Sequence, residues 1–160
     1  MILSVLIQLV TIVSVFILME GVAWFLHKYF MHGIGWYVHE DHHRPSKGRF
    51  EKNDAFGLFF AVISFLIILT GVLSGFDLKL AVGLGIMLYG IGYLMVHDIL
   101  FHRRIKIQYR PKNSYIKRIL HAHAVHHQAS TSNTGICFGF LYANKKYSVS
   151  KQPAHPETQA

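Results

Sequence analysis

The chain of 160 residues has one cysteine, Cys137, so no internal disulfide framework is open to it. A lone thiol of this kind reads as a small apolar core side chain. Charge is scarce as well: 15% of residues are charged, against roughly 25% in a soluble domain. Acids are the scarcer sign, with 8 Asp and Glu against 16 Lys and Arg. No lysine or arginine precedes Lys28, and residues 2–26 contain no small-residue cleavage site, which argues against a removed secretory signal. The polar sequence left over cannot cover three long apolar runs, and that excludes a soluble helical bundle.

The first run, residues 2–26, is interrupted only by Ser4, Gln8, Thr11, Ser14 and Glu20. The second covers residues 56–73 and the third 80–96. Roughly 20 apolar residues span the hydrocarbon, so each reads as a transmembrane helix. Five basic residues lie in 28–54, and after His102 there are ten against a single acid, Glu157. Basic residues collect on the cytoplasmic side of membrane proteins. The expected topology is therefore three to four spans, with the N-terminus outside and the C-terminus inside. The net charge of +8 is tied to membrane flanks, where it can meet anionic head groups, and does not point to nucleic acid.

Against these shortages stands an excess of histidine, 12 in all. Ten follow one pattern used twice: His27-x4-His32 then His39-x2-His42-His43, and His97-x4-His102 then His123-x2-His126-His127. Residues three and four apart share a helix face, so each H-x2-H-H group can project together. Five residues advance about 500° on an α-helix, leaving the x4 partners roughly 140° apart. Each x4 pair is therefore expected to straddle a helix end, with Gly33 and Gly35 stopping the first helix. Both groups fall at helix ends on one membrane side.

Imidazole suits zinc, copper, iron and nickel. One tetrahedral zinc takes four ligands, so ten histidines imply two metals without fixing their identity. His39-Glu40-x-x-His43 also satisfies the zinc-metalloprotease motif. That reading uses two histidines, and the second group has Ala124 where a glutamate base would be needed. A histidine-rich metal carrier is a third reading, but the histidines cluster at one face instead of lining a path through the membrane.

The stretches 20–45 (EGVAWFLHKYFMHGIGWYVHEDHHRP), 53–57 (NDAFG), 96–104 (VHDILFHRR) and Tyr115 onward through AHAVHH to CFGFLYA (137–143) carry a resemblance. They resemble the fatty acid hydroxylase superfamily of membrane di-iron oxygenases, and within it the bacterial-type β-carotene 3-hydroxylases. The resemblance spans about residues 15–147 and departs locally at Asn144, where proline is expected. It implies an all-α integral membrane fold, with a single hydroxylase domain over 1–147 and a disordered polar tail over 148–160. It further implies two non-haem irons in a cytoplasmic cap, held by His27, His32, His39, His42, His43, His97, His102, His123, His126 and His127. O2 would be co-substrate, and a ferredoxin or reductase the electron donor. The substrate would be a carotenoid in the bilayer, hydroxylated at C3 of its β-ionone rings in a bacterial inner membrane. Oxygenation of a fatty acid or other lipid is the alternative within the superfamily.

Zinc has no redox chemistry, and no side chain can oxidise an unactivated C–H bond, so a cofactor must carry the hard step, and the resemblance implies iron for it. Ligating histidines usually give their second N–H to an acceptor, and Glu40, Asp41 and Asp98 adjoin ligands. Glu20 lies nearly two turns before His27 on the same face inside the membrane. His121 falls outside the pattern and is placed around the ligands, while His155 sits in the tail without a role. Gly90, Phe138, Phe140 and Tyr142 are candidates for lining a substrate site. The glycines of the third run, Gly83, Gly85, Gly90 and Gly92, are expected to allow close helix packing in lipid or to leave clearance for a rigid polyene.

Overall fold

The computed structural model describes residues 2–44, 50–128 and 138–148. Cys137, Pro45, His155 and nearly all of the expected tail lie outside the described residues. Among the described residues every regular element is helical. Helix α1 (Ile2–Phe25) runs directly into a π-helix, π1 (Leu26–Ile34), and then into the short α2 (Trp36–His39) and a 3-10 turn, Glu40–His43. Helix α3 (Asp54–Leu73) turns back into α4 (Leu78–Tyr93), which continues as a second π-helix, π2 (Leu94–Phe101). Helix α5 (Ser114–His127) and a 3-10 turn, Lys145–Tyr147, are the last elements among the described residues.

Three segments are long and apolar enough to cross a membrane: Ile2–Ile34, Asp54–Leu73 and Leu78–Phe101. Three, not four, is the number among the described residues. The first has 33 residues. At about 1.5 Å per residue it reaches about 50 Å, well beyond the roughly 30 Å of hydrocarbon. The surplus can carry the histidine-bearing end of the helix out of the apolar layer. Leu3, Leu6, Val10, Val13 and Ile17 form an exposed stripe along α1 at helical spacing. In lipid such a stripe is solvated by acyl chains, so its exposure carries no penalty. Two of the polar interruptions find backbone carbonyls. Gln8 donates to the Phe76 carbonyl at 2.8 Å, and the Thr11 hydroxyl to the Ile7 carbonyl at 2.8 Å.

Helix α4 is the central element, packing on α3 along one side and α1 along another. Gly83 and Gly85 make both contacts possible. A Cβ on Gly83 would press on Ile68 and the Ser64 carbonyl of α3, and one on Gly85 would press on Val15 and the Ile12 carbonyl of α1. Small residues at such crossings let backbones approach where no hydrophobic force drives association. Gly90 differs, because nothing lies near the position of its Cβ. Packing explains the first two glycines and leaves the third facing open space. Replacing Gly85 by Val should therefore cost roughly 1–3 kcal/mol through overpacking. Gly90→Ala should be neutral or stabilise by up to about 1 kcal/mol through helix propensity. Thermal unfolding of the detergent-solubilised protein would resolve the two.

Candidate metal centre

The x4 spacing has a simple structural origin. Each x4 pair belongs to a π-helix, whose hydrogen bonds run from residue i to i+5 and so stack those residues on one face. The His102 N–H donates to the His97 carbonyl at 2.9 Å, and the Gly35 N–H to the Phe30 carbonyl at 2.7 Å. His27 and His32 rings end up 5.1 Å apart, and His97 and His102 rings 4.6 Å apart. The expectation that each pair straddles an α-helix end is corrected for the first pair, which lies wholly inside π1. In the second pair His102 is the residue at which π2 stops. Gly33, with φ −107° and ψ −119°, breaks the helical path after His32.

All ten patterned histidines converge, but not box by box. His27, His32, His39, His43 and His126 offer ring nitrogens within 4.8 Å of one another, and so do His42, His97, His102, His123 and His127. Each cluster takes four histidines from one half of the chain and one from the other. His42 crosses to the second cluster and His126 to the first. The clusters adjoin, with His43 and His127 rings stacked at 4.6 Å across the boundary.

Acceptors outside the clusters fix which nitrogen faces inward. His42 Nδ1–H donates to Glu51 at 2.8 Å, and His97 Nδ1–H to Asp98 at 2.7 Å. His39 Nδ1–H donates to the Asn53 side-chain oxygen at 2.7 Å, and His27 Nδ1–H to the Phe138 carbonyl at 3.0 Å. A neutral imidazole with its proton on Nδ1 has a bare lone pair on Nε2. Yet Nε2 of His42 lies 2.9 Å from Nε2 of His97, and Nε2 of His27 lies 3.0 Å from that of His39. Two lone pairs at that distance repel unless a cation lies between them. A metal ion ligated by both Nε2 atoms would sit between them and offset that repulsion. In the second cluster the buried Nε2 atoms of His102, His123 and His127 have no hydrogen-bond partner, as ligand atoms awaiting a metal would not. The residues fit two metal ions.

Burial disfavours the charged form of six of these rings. It pushes His102 down to about 3 and His126 and His127 to about 2, with repulsion between neighbouring imidazoles adding to it. Burial also takes His39 to about 3 despite its Asn53 bond, and holds His42 and His123 well below the usual range. A metal binds the neutral form, so the rings are already in the ligating state near neutral pH.

The outer partners only partly follow the sequence reading. Asp98 accepts from the neighbouring His97. Glu40 instead pairs with Arg44 at 2.5 Å toward solvent, and Asp41 accepts the Lys52 backbone N–H at 2.6 Å. Both carboxylates are thus engaged by groups other than the clustered rings. His121 stays outside both clusters, its Nδ1–H donating to the Tyr147 carbonyl at 2.9 Å. Sequence reasoning missed Glu51, Asn53, Asp54 and Arg104. Arg104 donates to Glu51 at 2.6 Å and Asp54 at 2.7 Å, clamping the start of α3 to the end of π2. The motifs NDAFG and VHDILFHRR contain three of these four residues, so the signal was present without a role.

Glu20 reaches no histidine. Its carboxylate accepts the backbone N–H groups of Phe140, Leu141 and Tyr142 at 3.2, 2.9 and 3.1 Å, and the Tyr89 hydroxyl at 2.8 Å. It holds the loop whose Phe138 carbonyl orients His27. Gly139 permits this, since a Cβ there would collide with the Glu20 carboxylate. Phe138 and Phe140 are buried beside the site, while Tyr142 is exposed. The Phe138 ring lies 5.2, 5.4 and 5.3 Å from the rings of His27, His32 and His126.

The profile of the family described as fatty acid hydroxylase matches residues 12–143. A beta-carotene hydroxylase of Pseudescherichia vulneris is 43% identical over 138 residues, 86% of this chain and 77% of the relative. One of Pantoea ananas is 42% identical over 125 residues, 78% of this chain and 71% of the relative. A chloroplastic beta-carotene 3-hydroxylase of an Oncidium hybrid is 36% identical over 133 residues, 80% of this chain and 42% of the longer plant protein. No solved structure matches.

Glu51→Gln and Asn53→Ala should each weaken metal binding by about 10–100-fold, because the ring they hold is freed to turn. Metal titration of the purified variants checks this. In metal-free protein the depressed histidines make stability fall with acid. The unfolded chain takes up protons below about 6.5 while the folded chain does not, so stability is full above that pH. It should drain away toward about 3, where His39 and His102 titrate. Denaturation followed between these limits reads the slope.

Proposed function

The chain belongs to the fatty acid hydroxylase family, and on that premise we propose that it hydroxylates carotenoids at C3 of the β-ionone ring. The conversion runs from β-carotene through β-cryptoxanthin to zeaxanthin. Each step consumes O2, an electron pair and protons, and releases water. The observation that carries the reading is the pair of five-imidazole clusters at the ends of membrane-spanning helices, in a chain whose relatives are named beta-carotene hydroxylases.

When bound, two iron ions would supply the O2 activation and C–H oxidation that side chains cannot. The ten patterned histidines would hold them. The chain's own part is to fix the imidazole tautomers and keep water away. Glu51, Asp98, Asn53 and the Phe138 carbonyl hold protons on Nδ1, which leaves Nε2 free to ligate. Aromatic rings pack on both clusters: Trp36 on His32 and His43, and Phe101 on His102, His123 and His127. They exclude solvent from the reacting centre.

The basic flanks support a cytoplasmic histidine cap in a bacterial inner membrane, where a ferredoxin or reductase would deliver electrons. A carotenoid would approach from the bilayer. A metalloprotease would need Glu40 as base, but Glu40 is engaged with Arg44. A carrier would need ligands along the spans, and the clustered histidines gather at one end of them.

In β-carotene-producing bacteria expressing the chain, chromatography with mass detection should find products gaining one and then two oxygen atoms. His42→Ala and His126→Ala should each lower this by about a hundredfold or more with protein retained in the membrane, since each opens a ligand set. Unchanged β-carotene with reductant supplied would turn the assignment to a fatty acid or other lipid.

A further inference from the structure

Two spaces meet at one short stretch of backbone. The inner one is a void of about 10 Å³ bounded by His27 of the first cluster and His97 and His123 of the second. It has room for a molecule about the size of water. The outer one is a groove of about 420 Å³ between α1 and residues 138–147, within the size range of small-ligand sites. Phe138 and Gly139 line both.

The groove is walled by aromatic rings. Trp24 and Tyr142 line it and are 42% and 69% exposed, which opens it toward the membrane side of α1. Asn144 and Lys146 add polar atoms to the same wall. Glu20 also borders it, but its oxygens are occupied by the loop amides and Tyr89. The partition is anchored from both sides. The Phe138 carbonyl is tied to His27, and the next residues are tied to Glu20 through three amides. Backbone movement is thus restrained, so the buried phenyl ring of Phe138, packed on His27, His32 and His126, is the part that would have to turn for the two spaces to join.

We propose that this groove receives the β-ionone ring of the substrate and that Phe138 is the wall deciding which ring carbon reaches the metal centre. The inference rests on the carotenoid reading above and adds the path and the residue that sets the position of attack. The ring and its polyene enter from lipid past Trp24 and Tyr142. Rotation of the Phe138 side chain then joins groove and inner void. A newly formed hydroxyl finds hydrogen-bonding atoms at Asn144 and Lys146, which favours withdrawal of the polar product toward the water side.

Gly21 offers a clean test, because it lines the groove and nothing lies within 4 Å of where its Cβ would be. Gly21→Phe or Gly21→Leu would send a large side chain into the groove from a Cβ position that meets nothing, and Gly21→Ala would leave the groove open. In carotenoid-producing cells, Gly21→Phe should lower zeaxanthin by about tenfold or more, with Gly21→Ala within about twofold of the parent. Metal content of the purified variants should not change. A Gly21→Phe protein as active as the parent would overturn the proposal, and Gly21→Leu serves if Gly21→Phe does not accumulate. A second readout is independent of turnover. With Trp36→Phe, Trp24 is the remaining tryptophan, and its fluorescence should be quenched by added β-carotene. Gly21→Phe should abolish that quenching, and quenching that persists would overturn the groove assignment. If the parent binds in this way but never hydroxylates β-carotene, the proposed reaction fails while the groove assignment stands.

Discussion

An imidazole has two nitrogens, and a metal can use only the one that carries no proton. The rest of this structure depends on that choice being made in advance. At His27, His39, His42 and His97 an oxygen acceptor takes the Nδ1 proton, so Nε2 is left bare and aimed inward. Bringing bare lone pairs to about 3 Å is unfavourable without a cation. The cluster stores repulsion that a metal relieves. Part of the binding free energy of the metal is therefore folding free energy of the cap.

Holding those acceptors in place is the work of elements far apart in sequence. Glu51 and Asn53 enter from the turn before α3, Asp98 from π2, and the Phe138 carbonyl from a loop after α5. Arg104 joins the first of these groups to the end of π2 through two carboxylates. Glu20 does the same for the last from inside a membrane span. A carboxylate there would be costly if left bare, but three amides and a tyrosine hydroxyl surround it. Its burden is met by the loop it organises. The same donors would be orphaned if it were lost.

The sequence makes much of this legible because period and spacing are physical. Apolar runs of membrane length become spans, and a histidine pattern that recurs becomes two clusters. What resisted reading was the handedness of local winding and the pairing between halves. The x4 spacing is awkward on an α-helix and natural on a π-helix, but no propensity announces the switch. The exchange of His42 and His126 between clusters follows from how α5 brings His126 beside His32 of π1 and His43 of the 3-10 turn, which is tertiary geometry. Glu40 adjoins a histidine in sequence and faces away in space, while Glu51, nine residues from His42, touches it. Adjacency along the chain misled because a 3-10 turn rotates consecutive side chains apart.

That exchange has a consequence for stability. Were each box to hold its own ion, the two halves of the cap could form and dissolve separately. Here His126 completes the set built on π1, α2 and the 3-10 turn, and His42 completes the set built on π2 and α5. Neither five-ligand set exists until α5 has docked against the first half. With both metals bound, removing one would loosen the docking that the other requires, and the two sites would be coupled through α5. The long first span and the α4 glycines bring the two halves to the same place. The crossed histidines then make the assembled state differ in kind from either half alone.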